Sequence, residues 1–399
     1  MNEESVPHLR DGITQFDQEQ NWDHRRPNAN QGLSADAPRG LASFALALVL
    51  FLILEGILFR SDFYPSYLSL SSNAGQITRL VDMARKTPYS YPQILVVGDS
   101  RMAEGFSAQI ANERSKENGI AFVDVGCPGS TLRVSYYLIR EIDPLSTRFQ
   151  AVVIPFTQYH DNGFAENLND RLMDIRFLLP LLDYSDIPVL ADSYESWENR
   201  RQVILSGLFK GYGYKQDLYD FLRDPSYRLE QVRIADKNWI HSRQFYPGHE
   251  ESLEGMYLEP DSRKVHFPDG VLPNVRYWLE SQAKENAKPR SVALARYRRV
   301  WMGKIIEHYR NSPALMIAIR LPVSPLGPDH FTYKHQGVLY EFSDSGRLIL
   351  MPENTFAHLE KPSFFFDQHH LNRAGRLRFS ELLSKEVAAI LEEHLKTGN

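Results

Sequence analysis

The chain carries one cysteine, Cys127, so no intramolecular disulfide can staple it, and cysteine usage does not mark its compartment. It has no excess of positive charge. Its 45 Lys and Arg against 50 Asp and Glu leave a formal net charge of −5, and without a basic field nothing points to nucleic acid. It contains no Gly-x-Gly-x-x-Gly, no P-loop, no zinc-spaced cysteine set and no internal repeat, so no cofactor and no metal is called for. Long apolar runs are also scarce. Only 41–59 qualifies, in which every residue is apolar or small except Ser43 and Glu55.

A helix of roughly 20 such residues spans a bilayer core, which makes 41–59 a transmembrane candidate. A cleaved signal peptide would have a shorter apolar region and an Ala-x-Ala-like site, and none follows. Glu55 is costly in lipid, but near the end of the span it can reach the interface or pair with a partner protein. Arg25, Arg26 and Arg39 precede the span while Arg60 and Arg79 follow it, a bias that puts the N-terminus inside and the main domain outside the cytoplasm. Residues 1–40 are polar and aperiodic, and read as a disordered cytoplasmic tail. Residues 60–92 read as a linker that includes an amphipathic helix over 71–86.

In Gln93-Ile94-Leu95-Val96-Val97-Gly98-Asp99-Ser100-Arg101, an apolar run stops at a small residue followed by an acid and a hydroxyl. The run predicts a fully buried strand, and 102–118 predicts a helix. Strand, tight turn and helix lift Ser100 above the carboxyl end of a sheet, where open α/β folds place their chemistry. Read alone, Asp99 or Ser100 merely caps the helix. At the far end, Phe366-Asp367-Gln368-His369-His370-Leu371-Asn372 precedes an amphipathic helix running from 373 to about 395. An Asp three residues before a His can set carboxylate beside imidazole, which is what a nucleophilic serine requires. Alternatively Asp367 caps the last helix and the histidines lie on the surface. A metal held by Asp367, His369 and His370 lacks further ligands.

These two motifs, in this order, resemble the SGNH (GDSL-like) hydrolase superfamily, and more narrowly the membrane-anchored SGNH-like proteins found with bacterial cell-surface polysaccharide acylation. The resemblance covers about half of the chain beyond the span and implies a triad of Ser100, Asp367 and His370. Phe122-Val123-Asp124-Val125-Gly126-Cys127-Pro128-Gly129 matches the family's second block, whose glycine donates a backbone N–H to the oxyanion hole. Gly129 is the better candidate, with Gly126 behind it. The third block departs from the family. Where Gly-x-Asn-Asp is usual, the chain reads Pro155-Phe156-Thr157-Gln158-Tyr159-His160, so the asparagine donor is missing and Thr157 and Gln158 are the candidates to replace it.

The expected fold is a three-layer α/β/α parallel sheet of SGNH or flavodoxin-like type, preceded by one transmembrane helix. The α/β domain is assembled from 93–162 and 313–399, with 163–312 as a mostly helical insertion. In the insertion, Leu294, Tyr297, Trp301 and Ile305 form an apolar stripe. Arg296, Arg298, Arg299 and Lys304 lie off it, as a solvated face or as cations that hold an anionic glycan. Residues 323–362 read as a long excursion near the site.

Two functions remain open at this level. One is a serine esterase or O-acyltransferase acting on acyl (acetyl) groups of a periplasmic polysaccharide or other acylated carbohydrate from the cell inner membrane. The resemblance implies that it works beside a multi-pass acyl-donor protein. The other is a catalytically silent protein that kept the fold for glycan binding or assembly.

Overall fold

Ile94, Leu95, Val96 and Val97 are completely buried, which an isolated amphipathic strand could not be; the run needs apolar layers on both sides. The computed structural model describes residues 37–397 except 62, 89–90, 164–167, 260, 287–291 and 328–335. The tail over 1–36, with Arg25 and Arg26, lies outside the described residues. The central sheet contains β1 (Gln93–Val96), β2 (Ala121–Asp124), β3 (Phe149–Phe156), β4 (Leu315–Arg320) and β5 (Ile349–Leu350). All pairs are parallel, in the order β2-β1-β3-β4-β5. In this doubly wound order the direction of winding reverses between β1 and β3, and the crevice beyond their carboxyl ends is where such sheets bind ligands.

The helices in chain order are α1 (Ala37–Glu55), α2 (Asn73–Lys86), α3 (Ser100–Gly105), α4 (Ala108–Ser115) and α5 (Leu132–Ile142). Between β3 and β4 come α6 (Asp174–Leu178), α7 (Asp186–Asp192), α8 (Trp197–Leu208), α9 (Lys210–Gly213), α10 (Lys215–Arg223), α11 (Pro225–Gln244), α12 (Pro273–Asn286) and α13 (Ala295–His308). After β4 come α14 (Val338–Asp344) and α15 (Arg373–Thr397). Alternate strand residues serve opposite layers, as the period of two requires. Leu95, Val97, Val152 and Ile154 join Ile77, Leu80, Val134, Leu138 and Trp301 from α2, α5 and α13. Ile94, Val96, Ala151, Val153 and Ile317 join Met102, Ala111, Phe379, Leu383 and Val387 from α3, α4 and α15.

The chain divides into two compact units, Met1–Leu52 and Ile53–Asn399, so the helices between β3 and β4 share one unit with the sheet. The helical stretch Gly40–Arg60 is long and apolar enough to cross a membrane.

Several expectations need correction. The single helix over 102–118 is two helices, because Phe106 leaves the helical region and Ser107 starts a new one by accepting from the Ile110 N–H. Glu55, expected to reach the interface or a partner protein, is buried against its own chain and accepts from the Gly211 N–H. The 323–362 excursion contains β5, too short to announce itself by periodicity. Pro328 of its first turn lies outside the described residues.

Candidate active site

Gly98 has φ +144°, and a Cβ there would lie 2.5 Å from Met102 and 2.6 Å from Pro155, so only glycine lets the chain turn directly off β1. Asp99 then caps α3. Its carboxylate accepts from the Arg101 N–H (2.9 Å) and holds the Arg101 guanidinium through Nε and Nη2. Burial alone would raise the Asp99 carboxyl, but the guanidinium outweighs it and holds it below the ordinary value. With Asp99 as the cap, Ser100 is freed for chemistry.

The Ser100 hydroxyl lies 2.8 Å from Nε2 of His370, and His370 Nδ1 lies 2.7 Å from Asp367 Oδ2. An ionised carboxylate only accepts, so Nδ1 carries the proton and Nε2 is left to receive one from Ser100. The other Asp367 oxygen accepts from the backbone N–H groups of His369 and His370, both at 2.7 Å. Burial pushes the Asp367 carboxyl up, while these hydrogen bonds and the nearby imidazole bring it below its ordinary value. His369 faces a different environment, and burial lowers its pKa. Asn372, not Asp367, caps α15, accepting from the Gly375 N–H at 3.0 Å.

Because Asp367 binds fewer protons when folded than when unfolded, it stabilises the protein above the free carboxyl value of about 3.9, and that contribution is lost as pH falls through the folded value. Wild type is therefore expected to lose urea resistance more steeply than Asp367→Asn below about pH 4. Denaturation midpoints measured across this range check it; parallel curves would refute the assignment.

The turn after β2 is tied onto the turn after β1. The Cys127 N–H and the Ser130 hydroxyl both donate to the Gly98 carbonyl, at 2.7 and 2.9 Å. Gly129 follows in the same turn, at φ +75°. The Gly126 N–H is already committed to Asp124 Oδ1 (2.8 Å), which removes it as the reserve oxyanion donor. Behind Gly129, Arg171 donates to its carbonyl and to Asp174. Asp174 also accepts from Thr131 (2.8 Å) and Arg133 (3.0 Å) in a fully buried ion pair.

Val96 pairs with Val153, so Ser100 and Thr157 stand the same four residues beyond a matched register, at the ends of the two strands flanking the winding reversal. Arg101 Nη1 donates to the Thr157 hydroxyl oxygen, which leaves the Thr157 proton available for donation. Gln158 is buried, and its carbonyl accepts from Arg298. Arg298 is neither a solvated nor a glycan-holding cation. Only 5% exposed, it donates to the carbonyls of Gln158, Tyr159 and His160 and pairs with Asp161, fixing the turn after β3. Arg299 is exposed and paired with Glu341.

A strap between α11 and α12 was not singled out from sequence. The His249 carbonyl accepts from the Arg373 N–H (2.7 Å), and the Leu253 N–H donates to Phe365 (2.9 Å). The His249 ring lies 3.8 Å from Phe366, which stacks on His370 at 5.6 Å. Pro247-Gly248 was the available turn signal. Among the described residues no cluster of His, Cys, Asp or Glu could hold a metal. No family model matches the chain, and no curated protein matches it either.

Proposed function

We propose that the chain is a membrane-anchored serine acyl-transfer enzyme of the SGNH type, acting on O-acyl groups of an extracytoplasmic polysaccharide. The observation that carries this reading is the continuous relay from Ser100 through His370 to Asp367, at 2.8 and 2.7 Å, between groups 270 and three residues apart in sequence. Ser100 Oγ attacks the ester carbonyl as its proton passes to His370 Nε2, and Asp367 stabilises the imidazolium. The tetrahedral oxyanion is held by the Ser100 and Gly129 N–H groups and the Thr157 hydroxyl. On collapse, the C–O bond to the leaving alcohol breaks and His370 returns the proton to that alcohol. A sugar hydroxyl or water, deprotonated by His370, then attacks the acyl carbon; the bond to Ser100 Oγ breaks and His370 returns the proton to Ser100.

The apolar helix supports a membrane anchor; the arginine bias around it is read as an N-terminus in the cytoplasm and a periplasmic domain, and the resemblance implies a multi-pass inner-membrane protein that delivers the acyl group. The silent glycan-binding or assembly reading draws on one observation, the absence of the third-block asparagine. Thr157 is the residue proposed to take its place. Thr157→Val should slow acylation by about 10²–10³-fold, the loss expected for one oxyanion donor. An unchanged rate would exclude Thr157 from the hole.

The deciding experiment follows the acetyl mass on the Ser100 peptide of the full chain after exposure to an activated acetyl ester. Transfer predicts that added polysaccharide discharges the adduct faster than buffer alone. Equal discharge points to an esterase, and a folded protein that never forms the adduct is the silent scaffold.

A further inference from the structure

Where the apolar helix ends, the chain is fixed to the helices between β3 and β4. Glu55 accepts from Gly211, and Phe59 packs 5.1 Å from Tyr64 and 6.2 Å from Tyr214. Arg60 donates to the Gly207 and Leu208 carbonyls and lies 3.5 Å over the Tyr184 ring. The following turn packs on α10, through Tyr64 to Asp217 (2.8 Å) and the rings of Tyr64 and Tyr67 against Phe221. Leu218 and Phe221 are the inward face of α10. Tyr219 and Leu222 form a second apolar face, three residues apart, that the fold does not use; Leu222 is 66% exposed. Phe63, Tyr184, Tyr212 and Tyr227 are likewise exposed on the segments around this exit.

The exit stands beside the last turn of α5, where Arg140 donates to the Leu181 carbonyl and to Asp186 on either side of Tyr184. Near its start α2 meets the residues beyond β2, where the Cys127 thiol donates to Gln76. At its end α2 meets the start of β3, where Arg148 donates to the carbonyls of Ala84 and Thr87. α2 therefore runs from the carboxyl edge of the sheet at Asn73 to the amino edge at Lys86.

We propose that the exposed rim of Phe63, Tyr184, Tyr212, Tyr219, Leu222 and Tyr227 enters the headgroup region of the bilayer, seating the domain by the side that carries α10, away from the helix layer that contains α15. The inference rests on reading the apolar helix as a membrane span. A lipid surface is the occupant because the rim borders the point where that span leaves the bilayer. Tyrosines with an apolar body and a polar tip are also the side chains that settle at this depth. Exposed Lys215 and Arg223 are matched by exposed Asp220 and Asp224, so burial of apolar surface, not attraction to anionic lipid, drives the seating.

Cys127 is buried, so an introduced surface cysteine can be labelled selectively. The full chain with Leu222→Cys or Tyr227→Cys, carrying an environment-sensitive fluorophore, is placed in phosphatidylcholine nanodiscs with or without bromine near the acyl carbonyl. Leu50→Cys reports the span, and Lys396→Cys reports the opposite end of α15, about 35 Å along the helix from Arg373. The proposal expects loss of fluorescence on bromination at 50, 222 and 227 but not at 396, unchanged in high salt. Quenching at 50 without quenching at 222 and 227 overturns the seating while leaving the span intact. Failure at 50 overturns the span and the seating together. Equal quenching at 396 shows that the domain has no fixed face toward the lipid and overturns the proposal as well.

Discussion

Ser100→Ala is expected to take up no acetyl group from an activated acetyl ester, where wild type gains one on the peptide containing Ser100. His370→Ala is expected to slow acylation by about 10⁴–10⁶-fold, and the double variant to be no worse than the more damaged single one. The reason is geometric. A serine hydroxyl of ordinary acidity becomes a nucleophile only if its proton has somewhere to go during attack, and Nε2 at 2.8 Å is that place. The ring holds that position because Asp367 fixes its other nitrogen, so the members fail as a unit rather than in proportion. Time-resolved mass measurement of the intact protein reads all three variants. Acylation of Ser100→Ala at the wild-type rate would place the nucleophile elsewhere.

The second large effect is on stability. Asp174→Ala is expected to destabilise the folded unit by about 3–5 kcal/mol, because it strands Arg133 without its counter-charge inside the protein. Both side chains of this pair are 0% exposed, so water cannot replace the lost partner. Arg171 would also lose Asp174, and with it the anchor that aims Arg171 at the Gly129 carbonyl. Stability and acylation should therefore fall together in this variant. Urea denaturation of the full chain in detergent measures the first. Exposed Arg299→Ala, which breaks only the surface pair with Glu341, is the comparison and should leave the midpoint nearly unchanged. Equal midpoints for Asp174→Ala and wild type would mean that the buried pair contributes nothing.

What could be read locally was legible in the residues. The unbroken apolar run of β1 required two covering layers, the alternation of strand and helix predicted a parallel sheet, and the 41–59 run is apolar enough to span a bilayer on composition alone. Ser100, Asp367 and His370 stood out only through the resemblance their two motifs carry, because the local sequence fits helix caps and surface histidines equally well. Tertiary structure decided everything that depends on residues distant in the chain. It assigned the α3 cap to Asp99 and the α15 cap to Asn372, so Ser100 and Asp367 are free to face His370. It placed Arg298 among three carbonyls where helical periodicity had put it in solvent. It withdrew the Gly126 N–H, brought Thr157 level with Ser100 through the β1–β3 register, and laid the His249 strap against the loop carrying His370. Periodicity reports which face of an element is apolar, over a few residues at a time. A hydrogen bond across 270 residues depends on which strands become neighbours, and that is set by the packing of the whole sheet.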